Sequence, residues 1–281
     1  MRRQEQQEAL ESAKGIRLYE GDKELFAPVR GALISQLRTP ISHLLVCTKA
    51  QDVEIALASV AHLFDANTCI VLLQNGVKVQ EKVCRLYTSQ MVYALSTSQG
   101  AYLSKQFEVV HAGFGQSYLG LLSPLGRHTS HSPKALLQLL PSAELNIQWD
   151  ENITSRLWKK FAINCAINAL TVIHNCRNAE LLRNQEINST LKALCQEIEF
   201  ILRHCRECPS IADVYSQVET VIKATAENIS STLQDARLGR PTEFTHFNPY
   251  LCELAQKYQL PNPINERVIE QFTANLARVV D

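Results

Sequence analysis

The stretch from His43 to Gly76, HLLVCTKAQDVEIALASVAHLFDANTCIVLLQNG, decides how the first half of the chain folds. It opens on a short apolar run, His43 to Thr48, and ends on another, Thr68 to Leu73, that stops at Gln74-Asn75-Gly76. Between them, Val53 to Phe64 places its apolar residues at helical spacing. Apolar runs without polar alternation read as strands buried on both faces. Strands of that kind separated by helices argue for a parallel sheet covered on both sides.

Working outward, Gly15 to Glu20 and Glu24 to Val29 flank Gly21-Asp22, a hairpin signal. Further strand-like runs follow at Val92 to Thr97, Phe107 to His111 and Tyr118 to Leu122. Pro133 opens a helix through Leu140, and Leu145 to Trp149 reads as a last strand. Beyond about Glu151 the pattern changes to long amphipathic helices, roughly 152–173, 185–206, 210–236, 246–258 and 264–280. Cys208-Pro209, Gly239-Arg240-Pro241 and Pro261-Asn262-Pro263 separate them. The expected organisation is an α/β domain over 1–150 followed by an all-helical domain over 151–281.

Bulk properties narrow the function classes. The 281 residues carry 28 basic and 28 acidic side chains, so no net charge argues for nucleic acid or an acidic membrane as partner. No apolar run reaches the roughly 18 residues of a membrane span, and MRRQEQQEALESAKG has no apolar core of a signal peptide. Nine cysteines, an odd number at irregular spacing, fit a reducing cytoplasm better than a disulfide framework. Cys205 and Cys208 form a CxxC beside His204. Without a second such pair they read as two thiols near a helix end, and no metal site is expected.

Two segments carry the chemistry. In Trp158 to Asn178, WKKFAINCAINALTVIHNCRN, residues Lys160, Asn164 and Asn168 fall at i, i+4 and i+8 on one helical face. Asn is a poor helix former and has no reason to recur on a solvated stripe. An ammonium followed by two amides therefore suggests either a site for hydroxyl and carboxylate oxygens or a buried hydrogen-bond network between helices. In Ala226 to Tyr250, AENISSTLQDARLGRPTEFTHFNPY, Asn228 and Ser231 are expected to share a helical face, and Glu243 follows the break at Gly239 to Pro241.

Together, KxxxNxxxN, NCxN and AENxSSxLQDxRxGRxTE, with HLLVCTKA and LLQNG upstream, resemble the ketopantoate reductase family over about Ser42 to Ile264. The resemblance implies an N-terminal Rossmann domain and a C-terminal helical domain like that of 6-phosphogluconate dehydrogenase. It also implies NADPH-dependent reduction of 2-dehydropantoate to (R)-pantoate, on the route to pantothenate and coenzyme A. Carried over residue by residue, Lys160 matches the general acid and Glu243 the carboxylate that orients substrate and contacts cofactor. Asn164, Asn168, Asn178, Asn228 and Ser231 match substrate-binding positions. Lys49, Asn75 and Ala101 match cofactor-contacting positions. The family's usual aliphatic-Asp and Asn-Gly after the glutamate are replaced here by Phe244-Thr245 and Asn248-Pro249. A homodimer is an open expectation for the assembly.

A Rossmann domain opens on a strand and G-x-G-x-x-G, and no such motif is present. Gly113, Gly115 and Gly120 have the wrong spacing and come too late. In the family alignment Met1-Arg2-Arg3 falls at the end of the second strand, with about 30 residues of βαβ opening unit expected before it. Arg2 or Arg3 is then expected to meet the 2′-phosphate of NADP. The expectation is a Rossmann-type domain lacking its first strand and glycine-rich loop. A related 2-ketoacid reductase and a non-catalytic truncated remnant are the alternative readings.

Overall fold

The computed structural model describes residues 4–123, 133–140 and 145–279. The chain divides into two compact units: residues 1–48, 52–74 and 83–153 form one, and residues 49–51, 75–82 and 154–281 form the other. The expected seam near 150 runs along the sequence only in part, because two short N-terminal segments, 49–51 and 75–82, belong with the helices.

The first unit holds two sheets. The larger has the order β3-β4-β5-β8-β9, built from His43–Val46, Cys69–Leu72, Met91–Thr97, Ser117–Leu121 and Ile147–Trp149. β3, β4 and β5 are parallel, as the apolar runs predict. β8 returns antiparallel to β5, and β9 lies parallel to β8, so the sheet is mixed rather than all parallel. Cys69 and Val71 of β4 join Met91, Tyr93, Leu95, Leu119 and Ile147 in one apolar cluster. Ile70, Leu72, Val92 and Ala94 alternate onto the opposite face and are equally buried, which is the two-sided burial that continuous apolar strands require. β3 is an edge strand of this sheet with Leu45 exposed, beside a cavity of about 630 Å³ that Leu44, Val46, Leu57 and Val60 help to line. Helix α2, Val53–Val60, connects β3 to β4 through a final 3₁₀ turn.

The smaller sheet has the order β2-β1-β7-β6, from Lys23–Ala27, Ile16–Glu20, Glu108–Gly113 and Gly100–Lys105. The hairpin about Gly21 forms as expected, with Gly21 at φ +58°, a conformation open to glycine without strain. Helices α1, Gln4–Ala13, and α3, Lys78–Leu86, and strand β6 were not foreseen from sequence. Helix α4 spans Pro133–Leu139.

The second unit is helical: α5 Ile153–Ile173, α6 Glu180–Arg183, α7 Gln185–His204, α8 Val214–Ala224, α9 Ser231–Arg237, α10 Asn248–Lys257 and α11 Pro263–Val279. Its caps are local. Asn184 accepts from the backbone N–H groups of Glu186 and Ile187 to start α7, and proline opens α11. The single helix expected over 210–236 is two helices. Between them the carbonyls of Ala226 and Asn228 accept from the N–H groups of Ala179 and Asn178, so they are taken by tertiary partners rather than by the next helical turn. α5 also ends at Ile173, leaving Asn178 beyond a turn rather than on that helix. Among the described residues no helix is long and apolar enough to cross a membrane.

Candidate active site

Lys160 sits in the second turn of α5, with Asn164 and Asn168 one and two turns further along the same stripe. Lys160 keeps some surface, but its ammonium is enclosed by protein. That enclosure pulls its pKa down from 10.5 to about 8, and the negative charge of Glu243 pulls the other way. Asn164 is half-buried and Asn168 is buried. Among the described residues neither amide side chain makes a hydrogen bond to the protein, so the stripe is not spent on an inter-helix network. Amides left unused beside an enclosed ammonium are the composition of a site for oxygen-rich ligands.

Glu243 lies just past the break after α9, as expected, and precedes a 3₁₀ turn, Phe244–His246. It does not cap that turn with its side chain. Instead it accepts a hydrogen bond from the backbone N–H of Ala50 at 2.8 Å and a longer one from the Asn75 amide at 3.5 Å. Asn75 precedes Gly76, whose φ of +91° is a backbone conformation that glycine adopts and other residues rarely do. Lys49 pairs with Asp235 of α9 at 2.7 Å and donates to the Pro241 carbonyl at 2.7 Å. So the two N-terminal segments that belong to the helical unit are those that bring Lys49, Ala50 and Asn75 to Glu243 and α9.

Asn178 is buried. Its N–H donates to the Asn228 carbonyl, its amide Nδ2 donates to Thr225 Oγ1 at 2.9 Å, and its Oδ1 has no partner. Asn228 is exposed in the connection before α9, and Ser231 is the exposed first residue of α9. The expectation that these two share a helical face is corrected: the chain becomes helical only after Ser230, the residue that caps α9. Ala101 belongs to β6 of the first unit, exposed and paired in register with His111. Arg2 and Arg3 lie outside the described residues.

Sequence reasoning missed Asp235, the Ala50 N–H and the Ser230 cap. Ser230 had a readable signal, a serine directly before an apolar helical run. The Ala50 contact had none, since any residue but proline supplies a backbone N–H.

Residues 1–124 match the sequence profile of a family described as "Ketopantoate reductase PanE/ApbA", and residues 152–275 match "Ketopantoate reductase PanE/ApbA C terminal". A 2-dehydropantoate 2-reductase of Escherichia coli O157:H7 is 33% identical over 227 residues, 81% of this chain and 72% of that one. The chain belongs to the ketopantoate reductase family. The fold agrees. A ketopantoate reductase family structure from Ralstonia eutropha JMP134 superposes with a TM-score of 0.84 at 22% identity, covering 99% of this chain and 89% of that one. D-mandelate dehydrogenase, in its ternary structure with NADH and anilino(oxo)acetate, superposes with a TM-score of 0.83 at 20% identity over 99% of this chain and 90% of that one. Within this family, the α/β unit with its three parallel strands and the following helical unit are the expected Rossmann-type and helical parts.

Proposed function

We propose that this protein reduces 2-dehydropantoate to (R)-pantoate with NADPH, with Lys160 as the proton donor. The observation that carries the reading is the lysine whose burial brings its pKa to about 8, facing the charge of Glu243 and followed by two uncommitted amides. At neutral pH such an ammonium is protonated yet able to give its proton up. It neutralises charge developing on the ketone oxygen and delivers the proton there from Nζ. Asn164, Asn168 and Ser231 present amide and hydroxyl groups that suit the substrate's carboxylate and hydroxyl without adding a second formal charge. Asn178 and Asn228, joined through their backbones, complete that side. Glu243, fixed by Ala50 and Asn75, orients substrate and holds the ammonium's counter-charge.

The donor set fits the polar ribose and amide end of a nicotinamide nucleotide. Lys49 and Asn75 follow the carboxyl ends of the parallel strands β3 and β4, the side on which open α/β sheets take their ligands. Ala101 is the third position assigned to it, and Arg2 or Arg3 to the 2′-phosphate. Bound there, the reduced nicotinamide supplies the hydride. The nine cysteines, all free thiols, support a cytoplasmic setting. A homodimer is the assembly to test by light scattering.

The deciding experiment measures oxidation of NADPH and NADH by the purified protein with 2-dehydropantoate and with an aryl 2-ketoacid. Turnover of 2-dehydropantoate with NADPH preferred is the expected result. Preference for the aryl acid with NADH would replace this reading with a related 2-ketoacid reductase. Arg2→Ala with Arg3→Ala should raise the KM for NADPH and leave that for NADH nearly unchanged.

A further inference from the structure

Thr171 and Ser230 form a buried pair of hydroxyls 2.7 Å apart, joining α5 to the start of α9. The direction of every hydrogen in this chain follows from its two ends. The Leu233 N–H can only donate, and it donates to Ser230 Oγ at 3.1 Å. The Asn168 carbonyl can only accept, and it accepts from Thr171 Oγ1 at 2.8 Å. Thr171 has thus used its one proton, so Ser230 donates to Thr171 Oγ1. The relay runs Leu233 N–H, Ser230 O–H, Thr171 O–H, Asn168 C=O. One end is the backbone of Asn168, and Ser230 immediately precedes Ser231.

We propose that Thr171 and Ser230 are positioning residues that set the distance between the Asn164–Asn168 stripe of α5 and Ser231 of α9, and so set affinity for the 2-ketoacid's carboxylate and hydroxyl. The inference rests on the reductase reading for its substrate, though not for its geometry. Each hydroxyl is buried, 0% exposed for Thr171 and 8% for Ser230, so neither touches substrate. Directional bonds in a closed, low-dielectric interior hold such a spacing more tightly than apolar contact does.

The test uses Thr171→Val, which keeps shape and removes the hydroxyl, Ser230→Ala, their double variant, and Thr171→Ser, which restores the hydroxyl. Thr171→Val and Ser230→Ala should each raise the KM for 2-dehydropantoate about tenfold with kcat changed much less, as loss of one buried hydrogen bond allows. The double variant should be no worse than the worse single variant, because the pair acts as a unit. Thr171→Ser should recover the wild-type KM. Backbone amide exchange at Leu233, measured without substrate or cofactor, should quicken in Thr171→Val and not in Thr171→Ser. A fall in melting temperature with KM unchanged, or failure of Thr171→Ser to restore KM, overturns the proposal. If the wild-type protein does not turn over 2-dehydropantoate, the reductase reading fails by itself, and unchanged exchange at Leu233 in Thr171→Val then overturns the relay separately.

Discussion

In the first unit, strands β4 and β5 bury almost nothing but apolar side chains, and polar contacts such as Thr97 with Ser117 at 2.8 Å and Gln74 with the Val46 carbonyl at 2.7 Å sit at strand ends. In the helical unit, buried polar groups run from helix to helix through the core. Glu197 of α7 accepts from the N–H groups of Ile264 and Asn265 at the start of α11, and from the Asn265 amide. Asn265 accepts in turn from Asn248, which also donates to the Cys165 carbonyl of α5. The difference reflects what each architecture leaves undetermined. Backbone ladders fix a strand's neighbours and alternation fixes its faces, so apolar side chains suffice. Helices that meet only through side chains can slide and rotate, and directional bonds remove that freedom. The residues assigned to proton delivery and substrate binding lie in the unit where registry is pinned in this way.

The largest effect expected of a single change is on turnover. Lys160→Met should lower kcat by about 10²–10⁴, the usual contribution of a general acid, in a protein that still unfolds cooperatively. Wild-type kcat for reduction should decline as pH rises through about 8, where the donor loses its proton. Near-normal turnover per folded molecule would move Lys160 into the class of structural polar groups and erase the contrast.

Next in size is the helical network itself. Glu197→Ala leaves two backbone N–H groups and an amide at the head of α11 without their acceptor. It should cost about 3 kcal/mol in urea unfolding; a cost under about 1 kcal/mol would mean apolar packing alone sets the helices.

The first unit should be vulnerable to volume instead. A Cβ on Gly120 would lie 2.4 Å from the Asp150 carbonyl oxygen and 2.4 Å from Ile153 Cβ. Gly120→Ala should therefore destabilise by about 2 kcal/mol, with the KM of the residual enzyme unchanged. A raised KM would show that strain in β8 reaches the substrate residues.

The smallest effect sharpens the comparison by its sign. Below pH 8 both folded and unfolded chains carry the Lys160 proton, and the folded one bears the full cost of an enclosed charge. Between about 8 and 10.5 the folded chain releases its proton while the unfolded chain keeps it, so stability contributed by this site rises with pH. Lys160→Met should then be more stable than wild type at pH 7, by about 1 kcal/mol after discounting for partial exposure. The advantage should vanish above pH 10.5. Equal stability at both pH values would show that the ammonium is solvated.

Local chemistry carried much of this protein. The apolar runs at 43–48 and 68–73, the hairpin about Gly21, and the helix holding Lys160, Asn164 and Asn168 were readable because period and turn residues act over a few positions. The spacing of that stripe and the AENxSSxLQDxRxGRxTE segment sufficed to point to the family.

Tertiary structure decided the rest. It broke the helix over 210–236, because the carbonyls of Ala226 and Asn228 found partners near Asn178, some fifty residues away in sequence. It gave Glu243 a backbone donor at Ala50, a contact that no side-chain pattern encodes. It lowered the pKa of Lys160, which depends on what encloses the ammonium and not on its neighbours in sequence. Periodicity specifies which face a residue occupies; the partners waiting on that face come from distant segments, and only their packing determines them.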